Sequence, residues 1–225
     1  MELLSVTKNT VQLLRESIIT GEFMPGQKLN EIEISSRFGI SRPPLREAFR
    51  VLENEKLVQS IPRKGCFVTE VSIQECRQIF EVREMIEGYV IKLLKAKNIR
   101  KLPNAESALV LASGFWKSSA DQHEKETRIN PFPDFHIALV NSSGNHWVTH
   151  FFNSIASNLA RYQFMCTYVP GVPDQAHEEH KQILDFIKRG DYDLANEFIK
   201  CHITSMLRYI EQVLSQKTWT ANGVV

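Results

Sequence analysis

Three arginines in the segment SRPPLREAFR are spaced for contact with nucleic acid. Arg42, Arg46 and Arg50 recur at every fourth position, so on a helix they would form one basic stripe. Arginine pairs bidentately with guanine in the major groove of DNA. From Arg37 to Lys64 the sequence has seven basic and three acidic residues, whereas the net charge of the whole chain is only +1. The alternative interpretation is a solvated helix face, which is what most charge stripes are.

The start of this predicted helix supports the DNA-binding interpretation. Ser41 is a natural N-cap, and Pro43 and Pro44 are tolerated after it because first-turn amides have no partner within a helix. A serine cap normally accepts from the amides two or three positions further on, and here both positions are prolines. The Ser41 hydroxyl is therefore predicted to stay free and to contact a DNA phosphate.

The elements around the stripe predict a helix-turn-helix. An amphipathic helix ends at Gly21, and a second helix begins at Asn30, whose spacing to Glu33 is that of a capping box. This second helix is predicted to end at Gly39. One residue separates Gly39 from Ser41, so two short helices are joined by a tight turn.

A β-hairpin is predicted directly after these helices. LVQSI and CFVTEV have the composition of short strands, and PRKG between them is a turn with Arg63 and Lys64 at its tip. A basic hairpin beside a helix-turn-helix is a wing.

The remainder of the chain is predicted to be α-helical. The fold class is therefore mainly α, with an N-terminal winged helix-turn-helix of three helices and a small β-hairpin wing, followed by an all-α bundle of six or seven helices. The predicted boundaries are 1–72 for the DNA-binding domain, 73–216 for the helical domain and 217–225 for a loose C-terminal tail. Helix breaks are predicted near residues 101–104, 130–133, 142–145, 169–174 and 189–191.

The composition argues against a membrane protein and against a secreted, disulfide-rich protein. No apolar run approaches the roughly 18 to 20 residues that a membrane span needs, and the N-terminus lacks the pattern of a signal peptide. We therefore expect a cytoplasmic protein with no membrane partner. The four cysteines are dispersed, which favours neither a disulfide framework nor a thiolate zinc site.

Residues 14–68 resemble the winged helix-turn-helix of the GntR family of bacterial transcription regulators. The resemblance depends on a G-x-x-x-P-G turn, an S-R-x-P-x-R-E-A recognition helix and a P-R-x-G wing. It implies that Arg42 and Arg46 read bases and that Gly65 approaches DNA. Pro43 departs from the threonine usual in the family, so some shift in operator contacts is expected. The predicted DNA-contact set is Ser41, Arg42, Pro44, Arg46, Arg50, Arg63, Lys64 and Gly65.

Residues 73–214 resemble the FadR-type effector domain of the same family, called FCD. FEVREMIEGYV, FHIALVNSSGN and EHKQILDFIKRGDYDLANEFIKCHI carry the resemblance. It implies a divalent metal held by an aspartate and three histidines, a small carboxylate metabolite as effector, and dimerisation.

By position the implied histidines are His136, His180 and His202, and all three share predicted helix faces with apolar residues, so they should point inward. Histidine nitrogens suit zinc, nickel or manganese ions. The family aspartate is replaced by Phe132. The nearest carboxylate, Asp134, is a candidate fourth ligand or a helix cap. The alternative for each buried histidine is that protein neighbours satisfy it without a metal.

Two arginines are candidates to bind the carboxylate effector. Arg83 lies within the motif that resembles the family, and Arg161 lies further along the chain. Arginine presents a planar, two-pronged donor that matches a carboxylate. A surface or interdomain salt bridge is the alternative for each.

These features predict a ligand-responsive transcription regulator that binds a palindromic DNA operator as a homodimer, by family habit a repressor, and not an enzyme. The alternative function is a metal-dependent hydrolase that uses the three-histidine site. His146 and His150 have the spacing of a zinc helix, but Trp147 stands where the HExxH motif has its general base. A protein-interaction module without DNA would leave the basic stripe unexplained.

Overall fold

The computed structural model describes residues 2–118, 135–215, 219–220 and 223–224. Within these ranges the α-helices are α1 Glu2–Ile19, α2 Glu31–Phe38, α3 Arg42–Asn54, α4 Ile73–Ala96, α5 Pro103–Ser118, α6 Phe135–Asn141, α7 His146–Met165, α8 Val172–Arg189 and α9 Tyr192–Ser215. A 3-10 turn spans Cys166–Tyr168. The strands are β1 Lys28–Leu29, β2 Val58–Ile61, β3 Gly65–Val68, β4 Trp219–Thr220 and β5 Gly223–Val224.

Local signals set the ends of the two short N-terminal helices. Asn30 begins α2, and its side-chain oxygen accepts from the Ile32 amide at 3.0 Å. Gly39 ends α2 with φ of 64°, a left-handed conformation that glycine adopts without a steric penalty. Ser41 then begins α3 without a side-chain cap hydrogen bond. The prediction that the prolines leave the Ser41 hydroxyl free of the helix is confirmed.

The helices α1, α2 and α3 form one hydrophobic core with the wing. Leu14 and Ile18 of α1 pack in the same cluster as Leu45 and Leu52 of α3, and all four are buried. The stripe of arginines lies outside this core, because residues four apart share a helix face and the buried stripe occupies the neighbouring face.

The wing has three strands, whereas the sequence predicted two. The predicted hairpin of β2 and β3 is present, with Val58 opposite Val68 and Ile61 opposite Gly65. The additional strand β1 pairs antiparallel with the other edge of β3, giving the order β1-β3-β2. A two-residue strand is too short to show an alternating pattern of apolar and polar residues. Its partner β3 is also far along the chain, so no local signal predicts the pairing.

The helical domain forms a second core. Six α-helices lie in the described parts of the domain, 73–118 and 135–215, and α9 packs along α4. Helix breaks occur at the predicted positions within these parts, including Gly190, which ends α8 with φ of 89°. The predicted break at 130–133 lies outside the described residues.

The two cores lie on either side of the predicted boundary at residue 72. The N-terminal cluster ends at Val68, and the C-terminal cluster begins at Cys76. The exact domain limits stay a prediction. In the C-terminal segment predicted to be a loose tail, β4 and β5 pair as a short antiparallel ladder. Among the described helices, none is long and apolar enough to cross a membrane.

Candidate DNA-binding surface and three-histidine centre

The three arginines of α3 are exposed, and two of them form only surface ion pairs. The Arg46 guanidinium lies 3.0 Å from Glu31 of α2, and the Arg50 guanidinium lies 2.6 Å from Glu47. Exposed pairs of this kind contribute about 0 to 1 kcal/mol to stability. The guanidinium groups can therefore exchange a weak partner for a DNA base or phosphate.

The wing extends this basic surface. Arg63, Lys64 and Gly65 are exposed, and Arg63 has φ of 64° in the turn between β2 and β3. Gly65 has φ of 110°, and a Cβ atom there would lie 3.2 Å from Lys28 Cε. A side chain at position 65 would thus be strained, and the glycine leaves the backbone open to close approach.

Pro44 requires a correction. Pro44 belongs to the predicted DNA-contact set, but the structure buries it within α3. Pro44 is four residues before Ala48 and belongs to the same inward face, together with Leu45. Its contribution is to packing of the first helical turn, whereas Ser41 and Arg42 beside it are exposed.

Three separate helices bring the predicted histidines together. His136 comes from α6, His180 from α8 and His202 from α9. Their Nε2 atoms lie 3.0 Å apart for His136 and His180, 3.1 Å for His180 and His202, and 3.3 Å for His136 and His202. The Phe135 ring stacks on His180 at 4.3 Å between centroids. The inward direction predicted for the three side chains is confirmed.

Two carboxylates orient these imidazoles. His136 Nδ1 donates to Glu87 Oε2 at 2.8 Å, and His202 Nδ1 donates to Glu179 Oε2 at 2.6 Å. A proton on Nδ1 leaves the lone pair on Nε2, and a carboxylate in this position is the usual way proteins orient a ligating histidine. The two Nε2 lone pairs therefore point at the centre of the cluster.

Burial keeps the cluster uncharged. It lowers the pKa of His136 and of His180 well below the usual histidine value, and the neighbouring Arg83 cation lowers both further. Burial also lowers the pKa of His202, against the raising effect of its hydrogen bond to Glu179. Neutral imidazole is the form that coordinates a metal ion.

Arg83 lies beside this centre and does not line the adjacent cavity. Its side chain is fully buried, its Nε donates to Glu87 Oε1 at 2.7 Å, and its Nη2 lies 2.6 Å from His136 Nε2. Burial raises the pKa of Glu87, and the Arg83 charge opposes that rise. The predicted role of Arg83 as an effector clamp stays a prediction, and the same Nη2 lies 3.1 Å from His136 Nδ1.

The donor set fits a divalent metal. Bond lengths of about 2.0 to 2.1 Å place three nitrogens on one metal about 2.9 to 3.4 Å apart, depending on the coordination angle. The three Nε2 separations fall within that range. The three histidines also form a cluster whose ligand atoms lie within 4.8 Å of one another. Asp134, the predicted fourth ligand, lies outside the described residues, as does Phe132.

A cavity of about 260 Å³ opens from the histidine centre. His136, His180 and His202 line one part of it, and the adjoining walls are largely apolar, including Leu109, Val172 and Met206. Helix α1 of the DNA-binding domain lines another part, with Gln12, Arg15, Glu16 and Ile19. The cavity thus connects the centre directly with the DNA-binding domain.

Arg161 joins the two domains. It is buried on α7, and its guanidinium donates to the hydroxyl and to the backbone carbonyl of Thr69, just beyond strand β3. Tyr162 adds a hydrogen bond to Ser72 at 3.2 Å. The contacts of Arg161 are thus interdomain hydrogen bonds to neutral groups and not the interdomain salt bridge named as the alternative, and Arg161 does not line the cavity. Its predicted role in effector binding stays a prediction.

Sequence reasoning missed the carboxylates of the centre. Glu87 follows Arg83 by four residues on a helix, and Glu179 directly precedes His180. The first spacing is a signal for an ion pair on one helix face. The second has no local signal, because Glu179 reaches His202 on another helix.

Two known protein families match the two domains of the chain. Residues 6–68 match the model described as bacterial regulatory proteins, gntR family, and residues 78–205 match the FCD domain. The chain belongs to the GntR family of transcription regulators, with an FCD domain. The resemblance of residues 14–68 and 73–214 to this family is therefore confirmed. The family consists of transcription regulators and not of enzymes. The hydrolase alternative has no support.

Full-length relatives share this organisation. The chain is 26% identical over 211 residues to the HTH-type transcriptional repressor GlaR of Escherichia coli (strain K12), covering 90% of this chain and 94% of that repressor. It is 21% identical over 222 residues to the HTH-type transcriptional repressor RspR of the same strain, covering 95% and 92%. A solved structure of a putative transcriptional regulator GntR from Rhodococcus sp. RHA1 has a TM-score of 0.75 at 22% identity, covering 92% of this chain and 98% of that one. This likeness confirms the fold.

Proposed function

We propose that this GntR-family regulator is a repressor that binds a palindromic operator as a homodimer and whose DNA affinity is changed by a small carboxylate bound in the helical domain. The observation that carries the proposal is the exposed basic surface of α3 and the wing, opposite a buried core. Arg42 and Arg46 would read bases, as the second helix of a helix-turn-helix does in the major groove. Ser41, Arg50, Arg63 and Lys64 would contact phosphates.

The experiment that tests this proposal is selection of binding sites from a random duplex library by the full-length protein. The expected result is an inverted repeat whose half-sites are centred about one helical turn, roughly 34 to 36 Å, apart. Enrichment of no sequence over the starting library would contradict sequence-specific binding. A single half-site without symmetry would contradict the dimer. Because its target is the bacterial chromosome, the regulator would act in the cytoplasm.

The homodimer is supported by an apolar surface on α4 and α7. Val82, Met85, Tyr89 and Phe151 line one groove, and the Trp147 ring lies 6.3 Å from the Phe151 ring. Each of the five is between 36% and 67% exposed. Large contiguous apolar surfaces mark interaction sites. We call these five residues the α4/α7 face.

Charge on α4 favours a second copy of this chain as the occupant of the α4/α7 face. Glu81 and Glu84 lie toward the start of the face, where Glu84 is 3.9 Å from Lys200 of α9, and Lys92 lies toward its end. A two-fold axis near residue 88 would run two α4 helices antiparallel, so the acidic half of each copy would meet the basic half of the other. An isologous dimer requires such self-complementarity.

The three-histidine centre supports a divalent metal, zinc, nickel or manganese, as part of the effector site. His136, His180 and His202 would hold the ion, and a bound ion supplies a positive centre that coordinates carboxylate oxygens. Glu87 and Glu179 would hold the imidazoles in place.

Elemental mass spectrometry on untagged protein measures the metal content, with His180→Ala as the control variant. About one equivalent in the wild type, lost in the variant, is the expected result. No metal after incubation with zinc, nickel and manganese would contradict the metal site and leave a metal-free pocket.

A further inference from the structure

The cavity beside the histidine centre has a wall that belongs to the DNA-binding domain. Arg15, Gln12 and Glu16 of α1 line it together with the three histidines. A ligand at the centre is thus enclosed partly by the domain whose DNA affinity it changes. Helix α1 also packs along α3, the helix that carries the arginine stripe.

Arg15 is engaged in a network that joins three helices. Its Nε donates to Glu55 Oε2 at 2.8 Å and its Nη2 to Glu55 Oε1 at 2.5 Å, while its Nη1 donates to Gln12 at 2.7 Å. Both Arg15 and Glu55 are about one-fifth exposed, with side-chain values of 23% and 22%. The Arg15–Glu55 pair is bidentate, so its geometry is specific. Because both side chains are partly exposed, a competing anion can reach the Arg15 guanidinium.

Glu55 is the C-cap residue of α3 and is tied to the effector domain. Ser157 of α7 donates its hydroxyl to Glu55 Oε2 at 2.9 Å, and Asn158 donates to the Glu55 carbonyl at 2.6 Å. The Glu55 carboxylate is therefore shared between α1 and α7 at the end of the recognition helix. Any group that draws Arg15 away from Glu55 changes how α1, α3 and α7 are held together.

We propose that Arg15 binds one end of the effector, and that an effector carboxylate competes with Glu55 for the Arg15 guanidinium. The inference rests on the proposed function, in which the other end of a carboxylate effector lies at the histidine centre. The rest of the cavity wall is largely apolar and includes Ile19, Leu109 and Met206. The chemical class that matches is a dicarboxylate with an apolar middle.

Glu16 is the other charged group of α1 on this wall. Glu16 accepts a hydrogen bond from Gln12, and burial raises the pKa of the Glu16 carboxyl against the lowering effects of Gln12 and Arg15. Arg15 has two of its nitrogens on Glu55, so it is the group whose partner the effector would replace.

Isothermal titration calorimetry on the full-length protein, as purified and after incubation with zinc, tests this competition. The probes are the straight-chain dicarboxylates from succinate to suberate, together with the monocarboxylate of the same chain length as the best binder. The proteins are the wild type, Arg15→Gln and Glu55→Gln. Far-ultraviolet circular dichroism and thermal unfolding of each variant report whether the fold is intact. Arg15→Lys is a second variant, which keeps the positive charge but lacks the planar, two-pronged guanidinium.

The expected result has opposite signs for the two variants. Arg15→Gln should weaken dicarboxylate binding by about 10-fold to 100-fold, as for loss of a hydrogen bond to a charged group. Glu55→Gln should strengthen the same binding by about 10-fold, because the competing carboxylate is removed. The monocarboxylate should bind the wild type and Arg15→Gln equally. A purely structural role for the Arg15 and Glu55 pair would weaken binding in both variants.

Three results would overturn the inference. They are equal dicarboxylate affinity of the wild type and Arg15→Gln, weakening in Glu55→Gln, and no binding of any probe to the wild type or Glu55→Gln. His180→Ala separates the inference from the proposed function. Loss of all carboxylate binding in His180→Ala supports both, whereas dicarboxylate binding that depends on Arg15 but not on His180 would keep the Arg15 contact and contradict the histidine centre as effector site.

Discussion

The arginines of α3 and the buried arginines of the effector domain differ in what their surroundings allow. Arg46 and Arg50 are 62% and 74% exposed, and each lies beside a carboxylate that is itself accessible to water. Arg83 and Arg161 are 0% and 1% exposed, and their guanidinium groups are held by fixed protein partners. An exposed arginine in a weak pair can bind an external molecule, whereas a buried one has been desolvated on folding and serves to position its neighbours.

The largest effect expected from this contrast concerns the Arg83 and Glu87 pair. Replacing Glu87 with alanine leaves a buried guanidinium without its carboxylate and His136 without its Nδ1 acceptor. The free energy of unfolding should fall by about 3 to 5 kcal/mol, as for breaking a buried ion pair from one side. Urea denaturation measures this change.

The control for that prediction is Glu47→Ala, which removes the exposed partner of Arg50. Surface substitutions of this kind change the free energy of unfolding by about 0.5 kcal/mol or less. Equal destabilisation by Glu87→Ala and Glu47→Ala would contradict the distinction between the buried and exposed arginines.

A second prediction tests whether the α4/α7 face is covered in solution. Met85→Asp places a charge in the middle of this apolar face, where a dimer would bury it without a partner. Light scattering should show a dimer for the wild type at micromolar concentration and a shift toward monomer for the variant.

Leu194→Asp is the matched control, because Leu194 is 50% exposed and lies on α9 outside the groove of the α4/α7 face. It should remain dimeric. A wild type that is monomeric, or a Met85→Asp protein that stays dimeric, would show that this face is not the interface between copies.

Sequence patterns were sufficient to predict helix ends and side-chain directions where these depend on residues close together in the chain. Asn30 and Gly39 predict the ends of α2, because a cap is completed within a few residues. The inward direction of His180 followed from the apolar residues that share its helix face. Contacts between distant segments had no such signal. These are the pairing of β1 with β3 and the bond from Arg15 to Glu55, whose residues are 40 positions apart.

The smallest predicted effect concerns the wing. Arg63→Ala removes one exposed cation at the tip between β2 and β3. If Arg63 contacts a phosphate, the slope of log affinity against log salt concentration should decrease by about one unit. Affinity should fall by a similar factor for every DNA sequence.

Lys181→Ala is the control for the wing, since Lys181 is an exposed lysine on α8 that pairs with Glu178. Its salt slope should equal that of the wild type. An unchanged slope for Arg63→Ala would remove Arg63 from the DNA-contact set.

The measurement that tests the central claim most directly is the affinity of Arg46→Ala for the selected operator duplex and for the same duplex with its bases scrambled. Fluorescence anisotropy at fixed salt gives both values, with Lys181→Ala on α8 of the helical domain as the control. The account predicts a loss of about 1 to 3 kcal/mol on the operator and a much smaller loss on the scrambled duplex, so that sequence preference is relaxed. Unchanged operator affinity in Arg46→Ala would contradict the assignment of α3 as the helix that reads DNA.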